Sequence, residues 1–187
     1  MISITSYEEE TSKVKINQLE IKCGFSFSEE YVEFLDKYNG GKPESNITEL
    51  PNTEIRSFLI TSFYGICKEA VNDIFQTLQI YEGRIPQKCI PIAQAEGGNL
   101  LCMNLDSDKF GYIYYWDHDE ELNFEIGEIK IENLYFVATS FREFFEKIKP
   151  YDTENADLSG YNILSVSSTS DDYKQLLKEY HEKNANK

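Results

Sequence analysis

The strongest constraint on the fold of this chain is a helix that carries its own start and stop signals, over residues 28–41. Four apolar residues have the i, i+3, i+4, i+7 spacing of one helix stripe: Tyr31, Phe34, Leu35 and Tyr38. Ser28 is a good N-cap, and Gly40 and Gly41 tolerate the positive φ values that end a helix. The segment therefore predicts an amphipathic helix that buries an aromatic face.

Composition indicates one globular domain. The chain has 187 residues, of which 41% are hydrophobic, so a core of ordinary size can form. No apolar run approaches the ~18 residues of a membrane span, and the N-terminus lacks the pattern of a secretory signal. The four cysteines are widely spaced and include no Cys-x-x-Cys pair, so we interpret them as reduced, buried residues. These features predict a cytoplasmic protein.

Charge is the strongest signal in the bulk composition. Asp and Glu number 33 against 18 Lys and Arg, for a formal net charge of −15. Such a surface disfavours direct binding to nucleic acid or anionic membranes, and it accelerates encounter with basic proteins, among which nucleases are common. Many acidic surfaces serve only solubility, so charge alone does not identify a partner.

The order of local patterns predicts an α+β fold with a central, mainly antiparallel sheet flanked by helices. A first helix over 7–23 is expected to start at Ser6, with a stripe that includes Val14. Further helices are expected near 71–78, at 140–148 behind a Ser140 capping box, and at 170–180. Extended segments are expected within the following ranges: 55–66, 89–93, 100–105, 110–116 and 124–137.

Two details of the sheet follow from single residues. Pro91 cannot donate to a strand ladder, so its strand is expected at an edge or at an irregular position. The segments 100–105 and 110–116 are expected to form a hairpin with a loop of about four residues at 106–109. Glu96-Gly97-Gly98-Asn99 is a turn signal just before it.

Two acidic stretches resemble ligand sites. Asp106, Asp108 and Asp117 mimic the spacing of a calcium loop, but Phe110 occupies a position that requires an oxygen ligand. Residues 117–121 place four carboxylates around His118. Neighbouring residues at a strand end point to opposite faces, so we expect that they cannot all converge. We therefore predict no metal site, no cofactor and no catalytic residues here.

The aromatic run 110–116 has two interpretations. Aromatic side chains on a strand can stack against bases in single-stranded nucleic acid. Such platforms need basic neighbours, whereas acidic residues outnumber basic ones nine to one over 96–128. We therefore expect these aromatic residues to lie mostly in the core.

The succession of these signals resembles the SUKH superfamily, bacterial immunity proteins related to a yeast cell-wall-assembly regulator. The resemblance covers about residues 8–148 and depends on the joint order of several short pieces: Tyr31–Gly41, Phe63–Ile66, Ile85-Pro86, Ile90–Ala93, Glu96–Asn99, Tyr114–His118 and Ser140–Phe145. One departure is Phe27-Ser28, where the family often has Leu-Pro. A serine cap does the same mechanical job. Residues 1–150 are thus expected to be a SUKH-like domain, and 151–187 a polar extension with a C-terminal helix.

The resemblance implies a non-enzymatic protein that binds a secreted toxin, often a nuclease, encoded beside it. The expected partner is a cognate, basic protein toxin in the bacterial cytosol. Acidic residues in turns and at strand ends are the candidate partner-binding residues: Glu96, Asp106, Asp108, Asp117, Asp119, Glu120 and Glu121. Two alternatives stay open, a regulatory or scaffold protein of the same fold and an uncharacterised enzyme that uses the 117–121 carboxylates.

Overall fold

A computed structural model describes residues 2–7, 11–51, 57–67, 70–86, 88–119 and 133–151. One compact unit spans Met1–Tyr151. The helix expected at 170–180 lies outside the described residues, as does most of the polar extension. The division of the chain at residue 150 stays a prediction.

The main sheet is a six-stranded antiparallel meander in which each strand pairs with the next along the chain. Its strands are β3 (Ile47–Glu49), β4 (Ser57–Phe63), β5 (Cys89–Ala95), β6 (Leu100–Asn104), β7 (Ile113–Trp116) and β8 (Leu134–Ala138). A second, two-stranded sheet joins β1 (Ile4–Thr5) to β2 (Lys42–Pro43). Four α-helices accompany them in the described residues: α1 (Lys13–Cys23), α2 (Glu29–Tyr38), α3 (Ile74–Ile80) and α4 (Phe141–Lys147). The predicted α+β class is confirmed.

Helices α2 and α4 start where the sequence predicts. The Ser28 hydroxyl accepts the Tyr31 N–H at 3.4 Å, and the Ser140 hydroxyl accepts the Glu143 N–H at 3.1 Å. These bonds satisfy backbone donors that have no partner within the helix. Both predicted N-caps are confirmed.

The predicted start of α1 is wrong. The helix begins at Lys13 and its cap is Ser12, whereas the Ser6 hydroxyl donates to the Tyr38 carbonyl. Val14, which we expected on the buried stripe, is 66% exposed. A shorter helix fits the sequence, because only Ile16 and Leu19 give it a buried face.

The hairpin of β6 and β7 forms, but its loop is longer than four residues. Residues 105–112 connect the strands, and they include a 3₁₀ turn at Ser107–Lys109 and a positive φ of 81° at Gly111. Gly111 can adopt that conformation without the steric cost of a Cβ atom. The aromatic run therefore enters the sheet only at Ile113.

Pro91 lies in a central strand, so the expectation of an edge position is wrong. Strand β5 pairs with β4 on one side and β6 on the other, and its register to β6 shifts between Pro91 and Ala93. A register shift gives a residue without an N–H donor an irregular position inside a sheet. The alternative expectation of irregularity is confirmed.

The core forms where α2 and α4 pack against β4. The Phe34 ring centroid lies 5.0 Å from that of Phe63 and 5.1 Å from that of Phe141. Phe34, Leu35 and Phe141 are buried, and Phe75 and Phe145 are partly buried against the core. The helix stripe therefore has its predicted role.

Asn39 fastens the end of α2 to the segment that follows β4. Its side-chain amide donates to the Ile66 carbonyl at 3.0 Å and accepts the Ile66 N–H at 2.8 Å. Gly65 lies directly against it, and a Cβ atom there would clash with the Asn39 carbonyl oxygen. The Tyr-Asn-Gly-Gly motif and the Phe63–Ile66 motif therefore contact each other directly.

Candidate partner-binding surfaces

The predicted partner-binding residues lie at two opposite ends of the hairpin. Leu100 pairs with Trp116, so the turn 96–99 and the segment 117–119 share one end of the sheet. The loop 105–112, with Asp106 and Asp108, lies at the other end, about 14 Å away along β6 at ~3.4 Å per residue. The structure therefore separates the candidates into two groups. Glu120 and Glu121 lie outside the described residues.

At the first end, Asn99 holds the turn 96–99 against His118. Its Oδ1 accepts the His118 backbone N–H at 2.9 Å and lies 3.0 Å from His118 Nδ1. Its Nδ2 donates to the Glu96 carbonyl at 3.0 Å and to Tyr115 Oη at 2.6 Å. Since Asn99 is 8% exposed, this network orients the imidazole from beneath. Gly98, with a φ of 87°, lies against the imidazole ring.

Asp117, His118 and Asp119 bring their ligand atoms together. One such atom from each residue lies within 4.8 Å of the others, and His118 Nε2 is 3.3 Å from Asp119 Oδ1. Asp117 Oδ1 accepts the Asp119 N–H at 3.0 Å, which bends the chain directly after β7. These three residues therefore converge, although we expected that residues 117–121 could not all do so; Glu120 and Glu121 lie outside the described residues. The alternation of a strand ends at Trp116.

The two aspartates differ in exposure. Asp117 is 8% exposed, so it cannot present its charge to a partner as we expected of a turn residue. The Asp119 side chain is 84% exposed, and Glu96 is also exposed. The Glu96 carboxylate accepts the Leu59 N–H at 3.2 Å, which leaves it at the rim of the sheet. Among the carboxylates that the structure describes at this end, Asp119 and Glu96 are the accessible ones.

Negative potential concentrates beneath the same turn. Burial raises the pKa of the Tyr115 phenol, and the charges of Asp117, Glu96 and Asp119 raise it further. The Tyr115 hydroxyl is therefore held in its neutral form, in which it can accept the Asn99 amide donor. All three carboxylates act on one point of the molecule.

At the opposite end, Asp106 is partly committed to structure. It caps the 3₁₀ turn through the Ser107 N–H at 2.8 Å and pairs with Lys88 at 2.9 Å. The hydrogen bond from Lys88 lowers the pKa of the Asp106 carboxyl, and bonds from Ser107 add to this effect. Asp108 is exposed in the same loop and has no ion pair within the described residues. Of the two, Asp108 is the freer to meet a partner.

Beside this loop lies an aromatic patch that sequence reasoning missed. The ring centroid of Phe136 lies 5.8 Å from that of Tyr112 and 6.1 Å from that of Tyr114. Phe136 is 39% exposed and Phe110 is 43% exposed, whereas Tyr115 and Trp116 are buried. We expected these aromatic residues to lie mostly in the core, but Phe110, Tyr112 and Tyr114 are not buried. Tyr112 and Tyr114 are two apart, so alternation along β7 could have separated them from Tyr115.

Comparison with known proteins identifies the family. Residues 10–147 match the SMI1/KNR4 family (SUKH-1). The chain belongs to this family. It is also similar to the SPbeta prophage-derived uncharacterized protein YokK of Bacillus subtilis strain 168, with 27% identity over 184 residues that cover 88% of each chain. The resemblance expected from the ordered motifs is confirmed.

Membership in the SUKH family gives the broad kind of function. Proteins of this family are in general non-enzymatic immunity or regulatory proteins that act by binding another protein. Within the described residues, no helix combines the length and apolar character needed to cross a bilayer. The Tyr-Asn-Gly-Gly and Gly-Gly-Asn motifs have a largely structural role, because the side chains of Asn39 and Asn99 form hydrogen bonds within the protein.

Proposed function

We propose that this SUKH protein is an immunity protein that binds and neutralises a cognate toxin in the bacterial cytosol, and that this toxin is a basic protein of the nuclease class. Family membership supports a protein partner. The net charge of −15 supports a basic one, since opposite charges speed association and exclude acidic competitors. Neutralisation would be stoichiometric and would require no chemistry by this chain.

One observation carries this proposal: an exposed aromatic patch lies next to the loop that presents the exposed carboxylate of Asp108. Protein interfaces typically combine aromatic anchors, which supply most of the affinity, with a charged rim that steers the approach. Phe110, Tyr112 and Phe136 are suited to the first role, and Asp108 to the second. We therefore propose the 105–112 loop and the adjacent part of β8 as the primary toxin contact.

The other end of the hairpin is the second candidate surface. Glu96 and Asp119 are exposed there, and Glu120 and Glu121 follow directly in sequence. It offers charge without a described aromatic anchor. In this proposal it adds to long-range steering more than to the affinity of the complex.

The first test is co-expression with the product of the adjacent gene, scored by rescue of growth and by co-purification. We expect a stoichiometric complex whose association rate falls as salt shortens the Debye length below ~10 Å. If the chain neither binds nor protects against such a toxin, the regulatory alternative replaces the immunity function.

Two sets of variants then locate the interface. Phe136→Ala should weaken toxin binding about 30-fold, the loss typical of an interface hot spot, mainly through faster dissociation. Asp108→Lys should slow association. The matched controls are Ile80→Ala, an exposed apolar residue on α3, and Asp36→Lys, which makes the same charge change on α2. Thermal unfolding of each variant verifies that it folds.

The outcomes distinguish the two ends. Slower association for Glu96→Lys with Asp119→Lys, together with unchanged binding by Phe136→Ala and Asp108→Lys, would place the interface at the 96–99 turn. Equal effects of Asp36→Lys and Asp108→Lys would show that only the overall charge matters, which would refute the proposed contact surface.

A further inference from the structure

The Asp117 carboxylate is an unusual charge for its environment. Asp117 is 8% exposed, and within the described residues its hydrogen bond comes from the next turn position, the Asp119 N–H. No Lys or Arg of the described residues forms an ion pair with it. A buried carboxylate is costly unless a cation or several donors compensate it. Asp117 thus places a largely buried carboxylate beside the ligand atoms of His118 and Asp119.

His118 directs a free nitrogen toward the same place. Asn99 Oδ1 accepts the His118 backbone N–H, which fixes the orientation of the amide. The same oxygen lies 3.0 Å from Nδ1, so Nδ1 is the ring nitrogen that carries a hydrogen. Nε2, the other ring nitrogen, lies 3.3 Å from Asp119 Oδ1. A cation at this end of β7 could therefore contact Nε2 and both carboxylates.

We propose that Asp117, His118 and Asp119 bind a divalent transition-metal ion such as Zn²⁺ at the end of β7. One imidazole nitrogen and two carboxylates form a ligand set that such ions accept. The hydrogen bond from Nδ1 to Asn99 is the outer-shell contact that commonly orients a metal-binding histidine. The turn closed by the Asp119 N–H and Asp117 Oδ1 brings the ligand atoms of these three consecutive residues together.

The geometry needs only a small adjustment. Ligand atoms around a zinc ion are ~3.4 Å apart when each lies ~2.1 Å from the metal. The His118–Asp119 pair is already at 3.3 Å, and no pair of the three ligand atoms exceeds 4.8 Å. The open side of the turn is exposed at Asp119, so solvent or a carboxylate of another molecule can complete the coordination. Ca²⁺ and Mg²⁺, which prefer oxygen ligands alone, should bind more weakly.

The test uses the full chain and metal salts alone, without the toxin. Titration calorimetry with ZnCl₂ should give one equivalent, and Co²⁺ should give a ligand-field spectrum without a thiolate charge-transfer band. That spectrum excludes binding by the four cysteines. His118→Gln and Asp119→Asn should each weaken the affinity at least tenfold, whereas the control Asp108→Asn should not change it. Asp117→Asn keeps the acceptor for the Asp119 N–H and removes only the charge.

A second measurement locates the ion. Substoichiometric Mn²⁺ should broaden the backbone amide signals of residues 97–99 and 117–119 and leave those of 105–112 unchanged. Absence of binding at millimolar Zn²⁺, or a thiolate band with Co²⁺, would overturn the proposal. Unchanged affinity of His118→Gln would also overturn it, as would equal broadening at both ends of the hairpin. Failure here would leave the proposed immunity function unaffected, because that function is tested with the toxin.

Discussion

Replacing Asn39 should destabilise the protein more than its single side chain suggests. The Asn39 amide makes two buried hydrogen bonds, which satisfy both the N–H and the carbonyl of Ile66. Asn39 also has a positive φ of 49°, a conformation that asparagine tolerates better than other residues with a Cβ atom. Removal of the side chain therefore leaves two buried backbone groups without partners and can add backbone strain.

The two effects can be separated by two substitutions. Asn39→Gly removes the hydrogen bonds but relieves the positive φ, and it should cost about 2–6 kcal/mol, at ~1–3 kcal/mol for each of the two buried groups left unpaired. Asn39→Ala removes the same bonds and keeps the strain of a Cβ atom, so it should cost about 1 kcal/mol more. Both losses are large fractions of a typical total stability of ~5–15 kcal/mol.

Urea unfolding, followed by the fluorescence of the single, buried Trp116, measures both variants. Asn17→Ala is the matched control, since Asn17 is exposed on α1 and its loss should change stability by less than about 0.5 kcal/mol. A cost for Asn39→Ala as small as that of the control would refute the argument from buried hydrogen bonds. A greater loss in the glycine variant than in the alanine variant would refute the argument from backbone strain.

Two further predictions concern the packing and the pH dependence of α2 and α4. Phe34→Ala should cost about 3–5 kcal/mol in urea unfolding, because the side chain is 4% exposed, whereas Val14→Ala at 66% exposure should cost less than about 0.5 kcal/mol. A hydrogen bond from Lys147, with others from Thr139, lowers the pKa of the Glu143 carboxyl from 4.5 to about 2. Its contribution is therefore present above pH 4.5 and is lost as pH falls toward 2. Glu143→Gln should reduce the loss of thermal stability over that range, and identical pH profiles would contradict this assignment.

Local signals in the sequence were sufficient for the elements that depend on local physics. The hydroxyls of Ser28 and Ser140 each bond to a backbone N–H only three residues later, and helical spacing alone determines the apolar stripe of α2. Strands β1, β2 and β3 were not predicted. Each has only two or three residues, so its pairing partner, rather than its own composition, determines that it is extended. Pro91 illustrates the same limit, since only the register of neighbouring strands accommodates it.

The candidate surfaces were predicted less completely because they depend on which residues meet in space. Alternation along a strand predicted that residues 117–121 cannot all converge, but one hydrogen bond from the Asp119 N–H to Asp117 ends that alternation over 117–119. Asp117 is also hydrogen-bonded to Asn133, which follows residues 120–132 in sequence. Its side chain donates to the Asp117 carbonyl at 3.0 Å. No local pattern around Asp117 carries that information.

The motifs that identify the family also explain why the partner cannot be read from them. Asn39 joins the first motif to Gly65 and Ile66, and Asn99 joins the Gly-Gly-Asn turn to His118. The side-chain amide of each asparagine is satisfied internally, so it specifies the fold. In the proposed function, specificity for a toxin comes from exposed residues such as Asp108, which lies outside every motif of the resemblance. Exchanging the 105–112 loop between two family members should thus transfer partner preference while both proteins keep their fold.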